Sequence, residues 1–65
     1  MSQQQDIIYH LHNIGSITPI EALNLYGSFR LGAIIFNLRQ DGYNIETKIE
    51  HKGRKMWARY SLVKV

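Results

Sequence analysis

The chain has 65 residues, no cysteine, a hydrophobic fraction of 45% and a charged fraction of 20%, so one small domain is its ceiling. A domain of this size buries only about 60% of the surface its unfolded chain exposes, too little for a substrate cleft walled by a separate core. Disulfides and thiolate metal sites are excluded. The net charge of +3 is unevenly distributed. Residues 1–27 hold no Lys or Arg and carry −2, while residues 28–65 hold all eight and carry +5. A basic half of this kind predicts a face that meets a polyanion.

The first segment, Met-Ser-Gln-Gln-Gln-Asp, lacks the basic region and apolar core of a signal peptide, and the longest apolar run is Ala33 to Phe36. Both point to a cytoplasmic protein without a membrane role. Ser2 with Gln5 three residues on fits a capping box, and Ile7, Ile8, Leu11 and Ile14 form a helical stripe that Gly15 ends. Ser16 and Ile17 form a connector with room for one short stretch of β-structure. Thr18-Pro19-Ile20-Glu21 then predicts a second helix. Thr18 caps, Pro19 loses no needed N–H, Glu21 completes the box, and Gly27 stops the helix.

Ser28 is placed as the cap of a third helix over residues 28–41. Leu31, Ile34, Ile35 and Leu38 are its buried stripe, and Gly42 follows it. Gly32 inside this helix predicts a close backbone approach. On a wheel of about 100° per residue, Ala33 and Gln40 lie opposite the stripe. Arg30 and Asn37 lie on one flank and Arg39 on the other, where it meets a phosphate or an ion-pair partner. Phe29 and Phe36 fall away from the core.

From residue 44 to 63 the period changes to alternation, which predicts a two-stranded hairpin. A loop at Lys52-Gly53 pairs His51 with Arg54, Ile49 with Met56, Thr47 with Ala58 and Ile45 with Tyr60. The opposite face then pairs Glu50 with Lys55, Lys48 with Trp57 and Glu46 with Arg59, setting each charge against an opposite charge or an aromatic face. Trp57 is expected on the outward face.

The predicted class is mainly α with a β-hairpin: three helices followed by a two-stranded wing, in one domain over residues 1–65. Thr18 to Leu23, Tyr26-Gly27, Phe29-Arg30-Leu31, Leu38-Arg39, Gly42 to Thr47 and Ala58 to Leu62, in this order, resemble the small winged helix-turn-helix domains of phages and prophages. The resemblance implies a DNA-binding fold in a viral or mobile-element setting.

In a helix-turn-helix the second helix of the motif enters the major groove. The reading candidates are Arg30 for guanine, Asn37 and Gln40 for adenine, and Ala33, with Ser28 for a phosphate at the helix start. Lys52, Arg54 and Lys55 at the wing tip are the further phosphate candidates. The alternative is a phage-encoded module that captures or inhibits a host or viral protein through helix 3 and the wing, with Phe36 and Trp57 as its interface. A homodimer on a palindromic site is also open. No nucleophile–base pair, paired carboxylates or Gly-rich phosphate loop is visible. His10 and His12, two apart on a helix, point in different directions. No enzyme, cofactor or metal is therefore expected.

Overall fold

The computed structural model describes residues 3–63. The elements run α1 (Gln3–Ile14), β1 (Ser16–Ile17), α2 (Pro19–Tyr26), α3 (Leu31–Gln40), β2 (Ile45–Lys52) and β3 (Lys55–Leu62). The strands form one antiparallel sheet in the order β1-β3-β2. The connector at Ser16-Ile17 thus becomes a third strand, short but paired with Ser61 and Tyr60. This is the helix–helix–helix–wing order expected from the sequence. The Ser2 cap of α1 lies outside the described residues.

The core gathers one stripe from each layer. Ile7 and Leu11 of α1, Ile17 of β1, Ala22 of α2, Leu31, Ile34, Ile35 and Leu38 of α3, and Ile45 of β2 are all buried. An isolated hairpin would be marginal in water, so it is this shared core that holds the wing. The stripe of α3 matches the expected one residue for residue. That of α1 does not. Ile14 is exposed, and His10 is buried in its place beside Ile7 and Leu11. A buried imidazole requires a partner. Tyr26 of α2 supplies it, with Oη 2.8 Å from Nδ1 and the two rings edge-on. Nε2 has no hydrogen-bond partner among the described residues. His12 packs edge-on to Tyr43 instead.

The start of α2 is the capping box expected from its sequence. Thr18 Oγ1 accepts from the Glu21 backbone N–H at 3.3 Å, and Glu21 Oε1 accepts from the Thr18 backbone N–H at 2.9 Å. At the other end Gly27 adopts the left-handed conformation (φ 65°), and its N–H bonds Leu23 O at 2.9 Å. A side chain with a Cβ is disfavoured there, which is why glycine closes this helix.

Three expectations are corrected. The third helix begins at Leu31, not at residue 28, with Arg30 as N-cap and no side-chain cap. Ser28 is buried in the turn and accepts from the Arg30 N–H at 3.4 Å, so its hydroxyl serves the turn and not the helix start.

The hairpin loop is Gly53-Arg54, not Lys52-Gly53. Lys52 pairs with Lys55, His51 with Met56, Glu50 with Trp57, Ile49 with Ala58, Lys48 with Arg59, Thr47 with Tyr60, Glu46 with Ser61 and Ile45 with Leu62. Gly53 has φ 60° and Arg54 has negative φ, the pattern of a turn with glycine in its first central position. The register is shifted by two residues. Side chains alternate with period two, so every residue keeps its expected face while every partner changes.

Finally, a Cβ built on Gly32 would meet nothing within 4 Å. No backbone approaches it, and open space lies beside it.

Candidate nucleic-acid interface

Helix α3 is anchored on the core by its buried stripe, and this leaves the opposite arc to solvent. Ala33, Phe36, Asn37 and Gln40 of that arc are all exposed, as is Arg30 at the helix start. The geometry thus brings together four of the five residues expected on the reading helix. Ser28, the fifth, is 2% exposed, and its side chain is withdrawn from that surface. Phe36 sits within the arc at 61% exposure, a large apolar ring among Ala33, Asn37 and Gln40.

The wing presents Lys52, Arg54 and Lys55 at and beside its two-residue loop, all exposed. None of the three has an ion pair among the described residues. The expected pairing of Glu50 with Lys55 is replaced. Glu50 accepts from the Arg59 Nε at 2.8 Å and from the Trp57 Nε1 at 2.9 Å. Glu46, expected opposite Arg59, faces Ser61. Lys55 is therefore freer than the sequence register implied, and the cationic tip is larger by one charge.

The root of the wing uses its cations differently. Arg39, at the end of α3, donates from Nε at 3.0 Å and from Nη2 at 2.7 Å to the Ile45 carbonyl, and from Nη2 at 2.8 Å to Thr47 Oγ1. A planar guanidinium bonding two acceptors on one strand fixes the angle between α3 and β2. The sequence reading offered a phosphate or an ion pair for Arg39; it has no ion pair among the described residues, and its guanidinium is engaged on β2.

Arg59 reaches Glu50, lies 3.6 Å from Glu21 on α2, and donates to Ser16 Oγ at 3.1 Å on β1. It joins three elements from the middle of the sheet. The Arg59 hydrogen bond, followed by that of Trp57, holds the Glu50 carboxyl below its ordinary value.

Trp57 keeps its outward side of the sheet, but that side is not open there. Trp57 is partly buried, and it helps to line an open cavity of about 600 Å³ between the start of α2, the turn before α3 and the start of β3. Phe29, which follows Ser28 in that turn, lines the same cavity and is 86% exposed. Sequence reasoning missed this cavity, although glycine at position 32 of a helix was the available signal.

No helix of the described residues is long and apolar enough to cross a membrane. They contain no group of three or more His, Cys, Asp or Glu that could hold a metal ion. Neither a curated protein nor a solved structure matches the chain. A family model described as a winged helix-turn-helix domain matches residues 2–65, nearly the whole length. The chain belongs to the winged helix-turn-helix domain family.

Proposed function

We propose that this protein binds double-stranded DNA, with α3 in the major groove and the tip of the β2–β3 wing on backbone phosphates, as a cytoplasmic regulator of transcription in a phage or prophage. The observation that carries the reading is the division of its cations. The guanidinium groups of Arg39 and Arg59 are engaged by acceptors of the fold itself, while the side chains of Arg30, Lys52, Arg54 and Lys55 are exposed and have neither an ion pair nor a hydrogen bond among the described residues. A cluster of unneutralised cations beside an exposed helix face suits a phosphate backbone. Arg30 would pair with guanine, Asn37 and Gln40 with adenine, and Ala33 would lie against a thymine methyl. The family membership supports the nucleic-acid class of partner. The order of its motifs, similar to those of phage domains, supports the setting.

Titration of duplex binding against salt tests the reading. Log affinity should fall linearly with log salt at a slope near −0.9 per phosphate contacted. A flat response would overturn it.

A second reading rests on Phe36, whose ring at 61% exposure is costly to leave in water. In this reading α3 and the wing capture a host or viral protein, with Phe36 as an anchor. Changing Phe36 to alanine separates the two. Capture of a partner from nuclease-treated lysate would be lost while duplex affinity stayed unchanged.

A further inference from the structure

The open cavity beside Trp57 belongs to neither the outward arc of α3 nor the strand faces that pack the core. Its walls are apolar: Ile20 and Leu23 of α2, Phe29 of the turn, and the ring of Trp57. Its volume of about 600 Å³ falls within the range of small-molecule sites, roughly 300–1,000 Å³.

Gly32 creates the space. It is the one residue of α3 on that wall without a side chain, and a Cβ there would meet nothing within 4 Å. Glycine inside a helix is unfavourable, and no positive φ requires it at this position. Phe29 stands 86% exposed at the edge and Ile20 60%, so apolar surface is left uncovered around the opening.

The charge of the cavity has one sign. Glu50, which accepts from the Trp57 indole, and Glu21, next to Ile20, are both occupied by Arg59. Lys55, which lines the cavity, has no ion pair among the described residues. The site therefore offers aromatic and aliphatic walls with a single uncompensated ammonium.

We infer that this cavity binds a small amphipathic organic anion, an aromatic ring system bearing one carboxylate. The rings would lie against Trp57, Leu23 and Phe29 in the space left by Gly32, and the carboxylate would pair with Lys55. Binding is read without DNA, so the inference stands or falls apart from the nucleic-acid reading.

The test uses the indole N–H signal of Trp57, the single tryptophan of the chain, in two-dimensional NMR spectra. 2-Naphthoate should shift that signal saturably. The neutral 2-naphthalenemethanol should bind about tenfold more weakly, for want of one charge-assisted hydrogen bond. Lys55→Met should bring the two affinities together. Gly32→Leu, which fills the cavity with a better helix former, should remove the saturable shift for both while the rest of the spectrum stays dispersed. The inference is overturned by a Trp57 signal that does not saturate, by equal affinity of the native protein for acid and alcohol, or by undiminished binding to Gly32→Leu.

Discussion

The root and the tip of the wing carry the same kind of residue for opposite purposes. At the root, Arg39 and Arg59 have their donors engaged on Ile45, Thr47, Glu50 and Ser16. At the tip, Lys52, Arg54 and Lys55 have no ion pair among the described residues. Net charge treats the two groups alike, yet a partner would have to compete with existing bonds for the first and not for the second. A planar guanidinium with several fixed donors suits the root, where geometry is needed, whereas a mobile ammonium or an exposed loop arginine suits diffuse contact with phosphate.

The largest effect should come from the tip. Changing Lys52, Arg54 and Lys55 together to alanine should lower the salt slope of duplex binding by about three, at roughly 0.9 for each phosphate no longer neutralised. The thermal midpoint should barely move, because surface changes away from packed features stay within about 0.5 kcal/mol. Fluorescence anisotropy at several salt concentrations, beside a melting curve, checks both halves. A large fall in the midpoint would mean that the tip is structural after all and would erase the contrast.

The root should show the reverse pattern. Arg39→Ala leaves the Ile45 carbonyl without its side-chain donor and Thr47 without its partner. We expect a loss of about 1–2 kcal/mol, toward the low end for bonds with a charged donor because Arg39 is itself exposed. In a domain this small, that lowers the midpoint by roughly 4–8 °C per kcal/mol. Arg39→Lys keeps the charge and loses the fork, so it should fall nearly as far. A lysine variant as stable as the native protein would show that charge, and not geometry, fixes the root.

The contrast also marks what can be read from the sequence. The Thr18–Glu21 box and the stripe of α3 are legible because both are local, set by residues three or four apart. The faces of the hairpin are legible because they depend only on parity. Its partners are not, since registers two residues apart keep the same faces. The choice is made by Gly53, whose positive φ suits the first position of the loop.

Arg39 and Arg59 escape the sequence for a different reason. Their acceptors exist only once the wing has folded back on α3 and β1, and no spacing along the chain encodes that. His10 does not stand out as a core residue because its partner, Tyr26, lies sixteen positions away on another helix. At the candidate interface, the exposed arc of α3 follows directly from its buried stripe. Ser28 departs from its expected place because the turn before α3 is longer than its sequence suggests and draws the hydroxyl inside.

The smallest effect concerns acid. The Glu50 carboxyl is held below its ordinary value of 4.5, first by the Arg59 hydrogen bond and then by that of Trp57. A folded-state value below the unfolded one means that the carboxylate adds stability which is fully present above the ordinary value. That stability is lost as pH falls through the lowered one. Native protein should therefore melt higher than Glu50→Gln near neutral pH, and the two midpoints should converge in acid. Glu50→Gln also removes a negative charge two residues from Lys52, so its duplex affinity at neutral pH should be no lower than that of the native protein. Parallel midpoints across the whole acid range would mean that the Arg59–Glu50 pair does not hold the root, leaving that role to Arg39 and the bonds from Arg59 to its other partners.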